Sequence, residues 1–214
     1  MNIVTGRGMY TWLVLAMVLG GSLVSAGQAA GPAGPAKAYF AGGCFWCMEE
    51  VFEKVPGVIS VTSGYMGGRV EHPSYEQVSA GGTGHAESVE VVYDPAKVSY
   101  TALLDAFWHN VDPVTPNAQF CDHGSQYRAV IFYLGDEEKR LAEESKGAIE
   151  QSGRLPGRIV TELTLASTFY PAEDYHQDFY KKNPVRYKFY KYSCGRAQRL
   201  EDLGQHHGTG QQLQ

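Results

Sequence analysis

The spacing of apolar residues along this chain switches between a period of two and a period of three to four, and the switches mark its elements. Residues 37–41 (KAYFA) read as a short buried strand, and Gly42-Gly43 turn it into a helix. Phe45, Met48, Val51, Phe52 and Val55 then recur at intervals of three and four, the stripe by which a helix faces a core. Pro56-Gly57 end that helix. A second strand spans 58–65, a short polar helix covers 74–79, and the glycine loop 81–84 leads into a third strand over 85–93.

That third strand carries one discordant residue. Val89, Val91 and Tyr93 share a face, and because strand side chains repeat every second position, Glu87 falls on the same face. A carboxyl group is thereby aimed at the core. Further on, Tyr100, Leu103, Leu104 and Phe107 predict a helix over 99–110, followed by a proline-bearing loop over 112–125 and a fourth strand over 126–134. A helix with an acidic start over 136–151, a fifth strand over 158–165 and a short helix over 172–182 precede a basic, tyrosine-rich tail. The first four strands and two main helices follow β-α-β-β-α-β, the split βαβ or ferredoxin-like order. The expected fold class is α+β: a two-layer sandwich on a ferredoxin-like core, with long loops and a C-terminal extension.

The N-terminus departs from this pattern. Arg7 is the only charged side chain among the first 30 residues, 11–24 are mostly apolar, and small residues follow in Val24-Ser25-Ala26. This is the layout of a secretory signal peptide over 1–26, with an apolar stretch shorter than the roughly 20 residues a spanning helix needs. An uncleaved anchor is the alternative. Residues 27–36 (GQAAGPAGPA) read as a linker, 37–200 as one folded body and 201–214 as a disordered tail, in which His206-His207 is no metal site. Cleavage after Ala26 leaves 17 basic against 23 acidic residues, moving the formal charge from -5 to -6. Such a balance argues against sequence-independent binding to nucleic acid or anionic lipid.

Export changes the meaning of the four cysteines, Cys44, Cys47, Cys121 and Cys194. An oxidising compartment allows a disulfide framework, yet a body of this size has core enough without staples. Three chemical readings of Cys44-Phe45-Trp46-Cys47 stand side by side. A zinc clamp needs a second ligand pair, and Cys121 and Cys194 are solitary. A thioredoxin-like dithiol fits the strand-to-helix position, but the bulky aromatics between the cysteines suit a lined pocket better than protein disulfide exchange. As a nucleophile, Cys44 would use the helix N-terminus to favour its thiolate, at about 1.4 kcal/mol per unit of pKa lowering, with Cys47 as a resolving thiol.

Several motifs in order resemble the peptide methionine sulfoxide reductase A family: Gly43-Cys44-Phe45-Trp46, Gly-Tyr-x-Gly-Gly at 64–68, Ser74-Tyr75-Glu76-Gln77-Val78, Gly84-His85-Ala86-Glu87, and Asp122 through Arg128 (DHGSQYR). Ala172 through Gln177 (AEDYHQ) and Asn183-Pro184 fit as well, so the resemblance covers about residues 37–200. It implies a two-layer α+β fold and reduction of the S-epimer of methionine sulfoxide, free or in proteins, with no metal or organic cofactor. On that resemblance Cys44 is the nucleophile that becomes a sulfenic acid, and Glu87 is the acid that protonates the sulfoxide oxygen. Tyr75 and Tyr127 hydrogen-bond that oxygen, Phe45 and Trp46 wall the methyl group, and Asp122 is a polar residue of the site. The inward aim of Glu87, read from strand alternation alone, agrees with its implied role.

Cys47 stands where many relatives have glycine, and the GCFWC form suggests that it resolves the sulfenic acid. Cys194 matches a region where relatives carry resolving cysteines, which suggests a relay from Cys44 to Cys47 to Cys194. Cys121 reads as a small buried residue, and His85 and His176 as packing or orienting groups without chemistry. The implied electron donor is a thioredoxin-fold dithiol, replaced by dithiothreitol in vitro, and export implies one fed across a membrane into a bacterial periplasm. The other expected partners are oxidised proteins and free methionine sulfoxide, with no nucleic acid, no stable membrane insertion and a monomeric state. An exported disulfide oxidoreductase or metal-binding module is the rival reading.

Overall fold

The computed structural model describes residues 1–2 and 34–204; the expected signal peptide, most of the linker and the last ten residues lie outside them. Its sheet begins with β1 (Ala36–Gly42), from which α1 (Phe45–Glu53) leads to β2 (Val58–Met66), then α2 (Tyr75–Ser79), β3 (Ala86–Tyr93) and α3 (Tyr100–Trp108). Two short strands follow, β4 (Ala118–Gln119) and β5 (Asp122–His123), then a 3-10 turn over Ser125–Tyr127 and β6 (Ala129–Tyr133). The chain continues through α4 (Asp136–Gln151), β7 (Glu162–Leu165), β8 (Tyr170–Pro171), α5 (Phe179–Lys182), α6 (Pro184–Ser193) and α7 (Arg196–Asp202).

Six strands form one mixed sheet in the order β7-β6-β1-β3-β2-β8, and β4 pairs with β5. Strand β3 is inserted antiparallel between β1 and β2, the two strands that α1 joins. Strand β6 runs antiparallel to β1 on its other side, and β7 pairs parallel to β6 across the α4 crossover.

Alternation along the central strands fills two layers. Ala38, Phe40, Val89, Val91, Ala129 and Ile131 face α1, α3 and α4, where Phe40 stacks on Phe52 at 4.7 Å and on Phe107 at 5.5 Å between ring centroids. Tyr39, Ala41, Val130 and Phe132 face the opposite way, against Phe169 and Ala166. The central strands are therefore apolar on both faces, which is why they read as short hydrophobic runs.

Four boundaries differ from the sequence expectation, each for a local reason. Strand 126–134 shortens because Ser125–Tyr127 closes a 3-10 turn, placing the Gln126 amide on the Ser79 carbonyl at 3.1 Å. Strand 158–165 reduces to four residues because the Val160 amide donates to Pro113 in the loop at 2.8 Å. The helix expected over 172–182 survives only as α5, since Asp178 adopts φ 54° and breaks it. The tail is helical: Pro184 sits in the first turn of α6, where its missing N–H is no loss, and α7 carries the folded body to the buried Leu203, past the expected boundary at Leu200. Among the described residues, no helix is long and apolar enough to cross a membrane.

Candidate active site

Cys44 is the N-cap residue of α1. It follows Gly43, whose φ of +79° and closeness to Gln119, 2.4 Å from where a Cβ would stand, admit only glycine. The turn brings the first amide of the helix onto Glu87: Phe45 N–H donates to Glu87 Oε2 at 3.1 Å. Strand alternation places Glu87 inside as expected, at 3% exposure. Desolvation pushes its carboxyl up to about 8, the negative charges of Asp122 and Cys47 add to this, and the Phe45 amide opposes it. At neutral pH this carboxyl holds a proton.

A cavity of about 90 Å³ opens beside Cys44. Phe45, Trp46, Tyr75, Glu87, Asp122 and Tyr127 all line it, so every catalytic and substrate-wall candidate converges on one place. Burial pushes the phenols of Tyr75 and Tyr127 upward, so both are neutral donors. A larger groove of about 330 Å³ between α3 and α4 contains no cysteine and none of these residues. The small cavity is where a thiol, a protonated carboxyl and two phenols meet, the groups that the sequence singles out.

One lining residue, Tyr190, escaped the sequence reading. It lies on α6 and donates to Asp122 Oδ2 at 2.5 Å, and its hydroxyl beside Cys44 opposes the upward push of burial on that thiol. Tyr187, one turn earlier, donates to Glu50 at 2.6 Å with Cys47 beside its hydroxyl. Lys191 pairs with the same Glu50 at 2.5 Å. Helix α6 is thus a roof tied to α1. The i, i+3 spacing of Tyr187 and Tyr190 behind Asn183-Pro184 was the available signal.

Both thiols of α1 are free and buried, Cys44 at 5% and Cys47 at 2% exposure. They titrate as a pair. Burial pushes Cys44 up, reinforced by Cys47, while the hydrogen bond from Cys44 brings Cys47 down to about 6, with Arg196 helping. One negative charge is therefore shared between two sulfurs a single helical turn apart. Among the described residues, no cluster of three potential metal ligands includes Cys44 or Cys47.

The other two cysteines correct the sequence reading. Cys121 is exposed, not a small buried residue, and is disulfide-bonded to Cys194 at a Cα separation of 4.9 Å. It sits at the turn between β4 and β5, beside Phe120, which adopts φ 57° and stacks under the Arg196 guanidinium at 4.3 Å. That turn fixes the neighbouring Asp122. Cys194 caps the C-terminus of α6, so the disulfide ties the roof to the strand that carries Asp122.

Comparison with known proteins places the chain in a family. The family model described as peptide methionine sulfoxide reductase matches residues 36–207. The chain is 50% identical over 161 residues to the peptide methionine sulfoxide reductase MsrA of Listeria innocua, covering 75% of this chain and 91% of that one. It is 55% identical over 150 residues to the Ligilactobacillus salivarius MsrA, covering 70% and 87%. Among solved structures, methionine sulfoxide reductase A of Corynebacterium diphtheriae superposes with TM-score 0.65 at 35% identity over 72% of this chain and 78% of that one. Reduced Mxr1 of Saccharomyces cerevisiae gives TM-score 0.66 at 30% identity over 71% and 87%. With a family match across most of its length and relatives at half identity, this chain belongs to the peptide methionine sulfoxide reductase A family, an oxidoreductase acting on methionine sulfoxide.

Proposed function

We propose that this protein reduces the S-epimer of methionine sulfoxide, free and within oxidised proteins, through a sulfenic acid on Cys44. The observation that carries the reading is the buried, protonated Glu87 held at the first amide of α1, facing the cavity that Cys44 opens into. Phe45 and Trp46 receive the methyl group on their apolar faces. The proton shared by the two thiols moves to Cys47 as Cys44 attacks the sulfoxide sulfur. Glu87 gives its proton to the sulfoxide oxygen, and the Tyr75 and Tyr127 hydroxyls hold the charge developing there. The oxygen transfers to Cys44 as its sulfenic acid, and methionine leaves by its reduced sulfur.

Cys47, one turn away, then attacks the sulfenic sulfur, water leaves, and a Cys44–Cys47 disulfide results. A thioredoxin-fold dithiol, or dithiothreitol in vitro, returns both thiols. The substrate contacts come from protein side chains alone, so the reading calls for no organic cofactor or metal. It places the enzyme, as a monomer free of the membrane, in an exported compartment, following the signal-like first 26 residues.

The test is epimer-resolved consumption of a blocked methionine sulfoxide with dithiothreitol by residues 27–214. Loss of the S-epimer alone is the expected result. Loss of neither epimer by folded protein overturns the reading and returns the Cys44–Cys47 pair to disulfide or metal chemistry.

The relay to Cys194 takes a definite form once Cys121 is its partner. The catalytic thiols are buried under α6, whereas Cys121 is exposed. Thiol-disulfide exchange would pass the oxidation of Cys44–Cys47 to the Cys121 and Cys194 thiols through a mixed disulfide, leaving an outer disulfide that a protein reductant can reach. Replacing both outer cysteines with serine is then expected to leave dithiothreitol-driven turnover within about twofold and to slow thioredoxin-driven turnover about tenfold, since access alone is lost. Equal rates with the two donors would rule the relay out.

A further inference from the structure

The motif at 172–177 (AEDYHQ) contributes nothing to the lining of the cavity, yet three of its side chains bracket the residues that do. Glu173 accepts from the Tyr75 amide at 2.8 Å and from the Tyr65 hydroxyl at 2.8 Å. Gln177 accepts from the Ser63 amide and donates to the Ser63 carbonyl, both at 2.9 Å, fastening the segment to β2. His176 is the third. Its Nδ1 accepts from the indole N–H of Trp46 at 3.1 Å, and its ring lies between Phe45, Tyr75 and Tyr175 at 5.0, 4.4 and 4.2 Å between centroids.

Two facts separate this residue from ordinary packing. His176 is 2% exposed, and its other ring nitrogen, Nε2, is buried with no hydrogen-bond partner among the described residues. A phenylalanine would fill the same space without stranding a polar atom, so the arrangement is accounted for by the acceptor at Nδ1. Desolvation holds the imidazole below its ordinary pKa, against the opposing charges of Glu173 and Glu76, and the neutral ring keeps the Nδ1 lone pair for Trp46.

We propose that His176 is a positioning residue that sets substrate specificity, its Nδ1 holding the Trp46 indole at the angle that, with Phe45, sizes the apolar wall for a methyl group. The proposal rests on the reading of Phe45 and Trp46 as the methyl-binding wall. With the bond lost, the indole can tilt against Phe179, on which it stacks at 3.8 Å, and the wall admits a larger alkyl group.

The test compares His176→Phe, which keeps the ring and removes the acceptor, with His176→Asn, whose side-chain oxygen can occupy the Nδ1 position. Two readouts are followed: the Trp46 indole N–H resonance, assigned with Trp46→Phe, and steady-state reduction of methionine sulfoxide against its S-ethyl homologue. For His176→Phe the indole resonance is expected to shift, KM for the methyl sulfoxide to rise about fivefold with kcat within about twofold, and the methyl-over-ethyl preference to fall about fivefold. His176→Asn restores all three towards the wild-type values. Should His176→Phe fail to fold, His176→Gln, whose longer side chain displaces the acceptor, takes its place beside His176→Asn with the same expected contrast. Wild-type KM and preference in the variant lacking the acceptor, or no recovery in His176→Asn, overturns the proposal. A wild-type enzyme that reduces neither sulfoxide defeats the functional reading and the specificity proposal with it, whereas a change confined to the variants speaks of His176 alone.

Discussion

Cys44→Ser is expected to abolish sulfoxide reduction with every electron donor, while Cys47→Ser keeps one round of chemistry and loses the second. The two thiols differ in place: Cys44 lines the cavity and Cys47 lies behind it, against Tyr187. A serine hydroxyl is not ionised at neutral pH and cannot take the sulfoxide oxygen, so the loss in Cys44→Ser is on the order of a thousandfold or more. In Cys47→Ser the Cys44 sulfur and the proton from Glu87 remain, and the attack is slowed but not blocked because Cys44 gives up its proton without Cys47 to receive it. Rapid quenching then shows about one methionine released per enzyme before the rate falls, with the protein heavier by one oxygen, the burst that covalent catalysis leaves when its second step is blocked. Sustained thioredoxin-driven turnover by Cys47→Ser would show that another cysteine resolves the sulfenic acid. Release of methionine by Cys44→Ser would remove the nucleophile from the mechanism altogether.

The parts of this site that were legible in the sequence are those set by short-range rules. Strand periodicity placed Glu87 inside without any knowledge of its role, because a period of two needs only its neighbours Val89 and Val91. The Gly42-Gly43 turn and the apolar stripe of α1 placed Cys44 at a helix start in the same way. The roof was hidden because its aromatic residues are interleaved with lysines, leaving α6 little contrast between faces, and Tyr190 gains its role only from Asp122, 68 residues away. The helix expected over 172–182 failed for a related reason. Glu173, His176 and Gln177 direct their polar groups to Tyr75, Trp46 and β2, and these long-range bonds outweigh the local preference of the segment. The Cys121–Cys194 bond joins residues 73 apart, and cysteine spacing alone specifies no such pairing.

Glu87→Gln is expected to lower kcat/KM at neutral pH by about 10²- to 10⁴-fold, the usual loss when a positioned acid is removed. The amide oxygen can still accept from the Phe45 N–H, so the helix start is preserved while the transferable proton is gone. Because the Glu87 carboxyl is held up to about 8, wild-type activity carries a basic limb near that pH, and the variant lacks it. The same proton governs stability in a direction opposite to that of an ordinary paired carboxylate. Folded protein retains the proton up to about 8, whereas the unfolded chain releases it near the unperturbed value of 4.5. Across that window the folded state binds the extra proton, so the contribution of Glu87 is intact below 4.5 and is lost as pH rises towards 8, with a ceiling of about 5 kcal/mol. The thiol pair acts in the opposite sense, since Cys47 is brought down to about 6 in the folded protein and favours folding as pH rises above that value. Because Glu87 and the thiols feel one another's charge, the difference between wild type and Glu87→Gln reports the carboxyl together with that coupling. Denaturant unfolding between pH 5 and pH 8 is therefore expected to show the variant gaining on the wild type with rising pH. If the two curves run parallel, or if the variant reduces sulfoxide within threefold of the wild type, the buried proton is not the one the reaction uses.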